Sequence, residues 1–138
     1  MYPRAHAAIS LVVAGGAVLL GEPTVSPAVA IGYGVALGVL IDLDHFVLAW
    51  ALSGSLAPLV RVVRKPWIAV TDPSAIFETD DLGPYHRLIS HVVLAGAFVP
   101  AVWLVVDPFV GTLTAAVLYA HVLADLLADS RDYETVPR

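Results

Sequence analysis

Four apolar stretches, at roughly 5–20, 28–52, 88–106 and 112–127, decide what this chain can become. Each approaches the ~20 residues that carry a helix across a bilayer at about 1.5 Å per residue. With 59% hydrophobic and 14% charged residues, the 138-residue chain has too little charge to clothe a water-soluble domain. Lipid is therefore the expected solvent for much of its surface. The fold expected is an all-α integral membrane protein, a four-transmembrane-helix bundle forming one membrane domain over 1–138. Its spans fall near 5–21, 28–52, 87–106 and 111–129, with a long loop over about 53–86. The first and last stretches are short and need flanking residues, tilt or local thinning to cross. Arg4 ahead of the first run and Ala28-Val29-Ala30 behind it also outline a cleavable signal segment; the reading kept is a retained span.

Turn residues separate the spans. Gly21-Glu22-Pro23 follows the first, and Asp107-Pro108 stands between the last two, a link so short that those helices must be antiparallel neighbours. Four spans place Arg4, Arg61, Arg64, Lys65, Arg87, Arg131 and Arg138 on one side, while the opposite connections carry only Glu22 and Asp107. Basic residues gather in cytoplasmic loops, so both termini and the long loop are expected to be cytoplasmic, in a cell membrane. Within that loop Leu56, Leu59, Val60, Val63 and Trp67 alternate with Arg61, Arg64 and Lys65 at helical spacing. A helix lying in the interface fits this pattern, and so does a helix capping the bundle. Asp72-Pro73 and Gly83-Pro84 break the chain further on, around an acidic patch of Glu78, Asp80 and Asp81 read as solvated.

Small residues Ala30, Gly34 and Gly38 recur every fourth position in the second span, and Ala116, Ala120, Ala124 and Ala128 do so in the fourth. Such stripes let helix backbones approach closely. Asp42 continues the first stripe and is expected to face the bundle.

The chemistry-bearing residues are concentrated. His6, Asp42-Leu43-Asp44-His45, His86-Arg87, Ser90-His91, His121 and Asp125 all fall at the cytoplasmic ends of the four spans, and they include every histidine of the chain. Ionisable groups in hydrocarbon cost several kcal/mol or more, so those present face one another and usually have a function. His121 and Asp125 share a face at i,i+4, as Asp42 and His45 nearly do at i,i+3. Asp44 points elsewhere on a regular helix, unless the second span breaks there. His86 and His91, at i,i+5, splay apart, which puts His86 in the turn before the third helix. Imidazole with carboxylate suits a divalent transition metal, zinc best, with manganese or iron as alternatives, and the donor number allows one ion or two. The first-choice ligands are His6, Asp42, His91, His121 and Asp125, with His45, His86 and Asp44 in reserve. The absence of cysteine excludes thiolate sites and disulfides, and a net charge of -5 argues against nucleic acid.

These motifs resemble the YdjM-like family of membrane-bound metal-dependent hydrolases. The resemblance is carried by His6, Asp42-Leu43-Asp44-His45, His86-Arg87-Leu88-Ile89-Ser90-His91 and His121-Val122-Leu123-Ala124-Asp125, in the family's order over nearly the whole chain. Ile41, Leu88, Ser90 and Val92 stand where that pattern has proline, glycine, threonine and serine. A fainter similarity, in ligand order only, is to zinc-dependent phospholipase C and its nuclease relatives. Together they imply a hydrolase acting on a phosphate-ester or lipid-like substrate at the cytoplasmic face. Asp42 or Asp44 would orient or deprotonate the attacking water, and Arg87 would hold an anionic phosphate or else anchor its helix in the interface. The partners expected are membrane lipids and a small-molecule or lipid substrate, with a homo-oligomer possible. A structural metal site and an ion or proton transporter are the alternative functions.

Overall fold

The computed structural model describes residues 3–77 and 84–134, and every regular element in them is helical. The helices are α1 (Pro3–Leu20), α2 (Pro27–Leu40), α3 (Asp44–Ser53), α4 (Ala57–Arg64), α5 (Ile68–Thr71), α6 (Pro84–Val105) and α7 (Pro108–Glu134), with 3-10 turns over Ile41–Leu43 and Pro73–Ala75. All four long helices open on a proline. The first N–H groups of a helix have no internal acceptor, so proline costs nothing there, and its φ is already helical. Ser26 caps α2, accepting from Val29 N at 3.4 Å. Gly54, at φ 70°, ends α3 in the left-handed conformation that a side chain would strain.

Four segments are long and apolar enough to cross a membrane: Pro3–Leu20, Pro27–Ser53, Tyr85–Val105 and Pro108–Ser130. The second is α2 and α3 run together through the 3-10 turn. The hydrophobic pattern predicts one helix over about 56–67 of the loop, but α4 stops at Arg64. Pro66 denies Lys65 the helical region, and Lys65 sits at φ −139°, ψ 71°. Trp67 then leads into the single turn of α5. The acidic patch of Glu78, Asp80 and Asp81 lies outside the described residues, as does Arg138.

α1 pairs with α2 and α6 with α7, while α7 also packs on both α1 and α2 and α3 on α6. α7 is thus the central helix: 44% of its apolar window is buried, against 11–17% for the other three spans. Leu113 and Val117 of α7 meet Ala14 and Ala30 in the core. The stripe of Ala30, Gly34 and Gly38 is buried as expected. On α7 the buried line is different. Thr114, Val117, His121 and Ala124 face inward, while Ala116, Ala120 and Ala128 are half-buried at the flank. Larger groups take the centre because the glycines of α2 leave room for them.

At the end of the bundle away from the histidines, Asp107 organises the α6–α7 turn. Its Oδ1 accepts from Phe109 N (2.8 Å), Val110 N (3.2 Å) and Thr24 Oγ1 (2.7 Å), so one carboxylate caps α7 and ties down the α1–α2 connection. The Thr24 hydroxyl, aided by the two amides, holds its pKa below the usual value. A depressed carboxylate contributes stability above its unfolded pKa near 4 and loses it as pH falls through the folded pKa. Asparagine caps a helix as well as aspartate but carries no charge. Asp107→Asn should therefore lose less thermal stability than wild type on acidification below about pH 4, in melts followed by circular dichroism. Parallel curves for the two proteins would remove the linkage.

Candidate metal centre

The start of α1, the break in the second span, the start of α6 and the last third of α7 share one end of the bundle. Their side chains converge there. His6, His45, His91 and His121 are all buried, and Asp42, Asp44 and Asp125 are partly buried. The break explains how Asp42, Asp44 and His45 act together. In a regular α-helix Asp42 and Asp44 point about 200° apart. Through a 3-10 turn residues three apart eclipse, so His45 comes round onto the Asp42 face and Asp44 moves toward it. The break allowed for in the sequence is therefore the device that gathers this motif.

Two rings have their Nδ1 atoms committed. His121 Nδ1 lies 2.9 Å from the Gly38 carbonyl, and His91 Nδ1 lies 3.1 Å from Asp44 Oδ2. A carbonyl or carboxylate oxygen only accepts, so both Nδ1 atoms donate, and the Nε2 lone pairs become available as ligands. Fixing a ring through its other nitrogen is the usual outer support of a metal-binding histidine. The two Nε2 atoms lie 3.3 Å apart, and Asp42 Oδ1 lies 3.2 Å from that of His91 and 3.3 Å from that of His121. Two ligands each about 2.0–2.1 Å from a tetrahedral ion stand about 3.3 Å apart. The three atoms thus already form the face of such a polyhedron.

Further donors surround this triangle. Asp125 Oδ2 is 3.5 Å from His121 Nε2, and Asp125 Oδ1 is 3.2 Å from His6 Nε2. His45 Nε2 is 3.8 Å from Asp42 Oδ1 and 3.6 Å from Asp44 Oδ1. His6, Asp42, His121 and Asp125 offer four atoms within 4.8 Å of one another, and Asp42, His45 and His91 offer a second such set. Asp42 belongs to both, so the donor number allows one ion or two. The rings stack in pairs, His6 on His121 at 3.9 Å and His45 on His91 at 4.9 Å, which restricts their rotation.

Fit to a metal can be tested on the orphaned atoms. Nδ1 of His6, Nε2 of His45 and Oδ1 of Asp44 are buried without a hydrogen-bond partner among the described residues, and His6 Nε2 has the Asp125 Oδ1 contact at 3.2 Å. Such atoms cost about 1–3 kcal/mol each when left unsatisfied. His6 and His45 belong to the candidate donor sets and Asp44 supports His91, so a bound cation would take up one nitrogen of each of those two histidines.

All five first-choice ligands, and His45 and Asp44 from the reserve, are brought together. His86 is not. It lies inside the first turn of α6 rather than in a turn before it, is exposed, and belongs to neither donor set. The five-residue spacing that turns His91 inward turns His86 away. Arg87 borders the site, with Nη2 3.6 Å from Asp129 Oδ1 and Nε buried without a partner among the described residues. The Gly38 carbonyl is the functional group that sequence reasoning missed, since a backbone acceptor has no residue-type signature and the small-residue spacing of Gly38 signals packing alone. No family model, curated protein or solved structure matches the chain. Its likeness to the YdjM-like family therefore stands on motif order alone.

Proposed function

We propose that this chain is a metal-dependent hydrolase of the YdjM-like kind, held in a cell membrane and acting on a phosphate-ester or lipid-like substrate at the cytoplasmic face. The observation that carries the proposal is the triangle of Asp42 Oδ1, His91 Nε2 and His121 Nε2, with both histidines locked from behind. A divalent ion held there, zinc for preference, would supply Lewis acidity and would lower the pKa of bound water toward ~7. In this reading Asp42, His6, His45, His91, His121 and Asp125 would hold the ion, and Asp44 steadies His91 through one oxygen. The other oxygen of Asp44 is left to take a proton from water. Arg87, which no cation can recruit as a ligand, is the group that meets an anionic substrate. Cavities beside Asp42, His45 and Asp125 favour a working site over a closed structural one, which needs no open position.

The orientation follows from the one-sided basic residues, and the exposed apolar residues of the loop helices suit contact with the interface. Metal content and hydrolysis of a phosphodiester panel, measured on one detergent preparation, test the activity. The expected result is one to two transition-metal ions per chain, with turnover lost on chelation. Arg87→Ala should lower turnover of anionic substrates by at least ten-fold with metal content unchanged. Full metal loading without hydrolysis of any lipid, nucleotide or monoester substrate would favour a structural site, and a terminal tag labelled from outside the cell would overturn the orientation.

A further inference from the structure

A cavity of about 290 Å³ lies between the break in the second span and the loop helices. Val62, Ala69 and Phe77 contribute to its apolar wall, and Asp42, His45, Arg87 and Asp125 are its polar lining. The wall is a built one. Arg61 Nη1 donates to Ile76 O at 2.8 Å, fastening α4 to the chain after α5, and Phe77 packs on Phe46 at 5.3 Å and edge-on to His45 at 6.1 Å. On the outside of the same segment Val63 and Trp67 are 73% and 60% exposed, a surface suited to lipid rather than water. A second cavity of about 190 Å³ opens between the start of α6 and the end of α7, lined by Arg87, His91, Asp125 and Asp129 among others. Arg87 and Asp125 border both. Arg87 thus stands where the chamber under the loop helices and the α6–α7 cleft meet, with its buried Nε unmatched among the described residues.

We infer that the chamber beneath α4 and α5 holds the apolar chain of an anionic amphiphile drawn from the bilayer, with its charged head between Arg87 and the Asp42–His45 edge of the metal centre. The inference rests on the metal reading in one respect: Asp42 and Asp125 alone would repel an anion, so the head needs the cation they hold as its second anchor. Apolar walls reward a chain by about three- to four-fold in binding for each methylene buried. The matched guanidinium and cation select a phosphate or phosphonate over a neutral head. A head at the junction leaves its polar substituent in the α6–α7 cleft while the chain stays under the loop.

The test is read without turnover. Zinc-loaded full-length protein in phosphatidylcholine nanodiscs is irradiated with a dodecylphosphonate carrying a diazirine in its chain, and adducts are mapped by mass spectrometry. Adducts should concentrate on 62–77 and 39–46. Unlabelled dodecylphosphonate should compete and methylphosphonate should not. Ala69→Trp, which fills the chamber, and Arg87→Ala, which removes the head's anchor, should each cut these adducts at least five-fold with metal content unchanged; Val62→Phe replaces Ala69→Trp if the latter loses metal. Adducts confined to the exposed Leu104 and Val105 of α6, or unaltered by both substitutions, overturn the inference. Loss of chamber labelling with a soluble aryl phosphodiester still hydrolysed does so too, and leaves the hydrolytic reading standing. Chamber labelling by a protein that hydrolyses nothing supports the inference and removes the hydrolytic reading instead.

Discussion

Asp42→Ala should deplete the purified protein of metal almost completely, lowering its affinity by more than 100-fold. Asp42 is the one residue common to both donor sets, and its Oδ1 lies within 3.3 Å of two locked imidazoles. Removing an outer support of a metal ligand typically costs 10–100-fold in affinity, and the loss of a shared ligand must exceed that. An ion held only by the folded chain would stabilise it, so thermal melts of the variant should stop responding to added zinc or to chelator. His86→Ala is the matched control. His86 is a histidine of the same motif, exposed and outside both donor sets, so its removal should leave metal content within error. Elemental analysis of the two proteins decides the matter, and equal metal in both would reduce the cluster to ordinary packing groups.

Gly38→Ala should damage the protein at a site that carries no chemistry of its own. A Cβ on Gly38 would stand 2.9 Å from Ser10 Cβ, closer still to Ser10 Oγ, and 3.4 Å from Val117 Cγ1. The hydroxyl can rotate away but the Ser10 Cβ cannot, so α1 and α2 must separate, at an overpacking cost of about 1–3 kcal/mol. That movement also drags the Gly38 carbonyl from His121 Nδ1, now 2.9 Å away. A lower melting temperature should therefore come with zinc affinity weakened ~10-fold or more, as for other outer supports of a metal ligand. Ser10→Gly in the same chain opens the space and should restore both quantities together. Destabilisation with unaltered zinc affinity would mean that the carbonyl does not orient His121.

The break in the second span shows where sequence reading reaches its limit. The small stripe Ala30-Gly34-Gly38 aims Asp42 inward because side chains four apart share a helix face, and the structure agrees. The same arithmetic sends Asp44 away, and only the 3-10 turn over Ile41–Leu43 brings it to His91 Nδ1 at 3.1 Å. In α7 the i,i+4 pair His121 and Asp125 was legible for the same reason that Asp42 was. The choice of Thr114 and Val117 over the alanine stripe as the core line was not, because it depends on the shape of the groove that α1 and α2 present.

By itself, then, the sequence determined the four apolar spans, their prolines and turns, and the gathering of histidine and aspartate at one end of the bundle. These properties follow from composition and from spacing along one chain: an apolar run of fixed rise has a fixed reach, and in an up-and-down bundle residues near alternate ends of successive helices share a level. The tertiary structure alone decided which of those residues meet. It drew His6, His45, His91 and His121 to within a few ångströms of shared carboxylates, left His86 outside, and supplied the Gly38 carbonyl that fixes the proton of His121. Distances between atoms on different helices depend on the rotation and axial offset of each helix against its neighbours. Those two quantities are set by close packing, here of Gly38 against Ser10 and Val117, and no spacing along a single helix contains them.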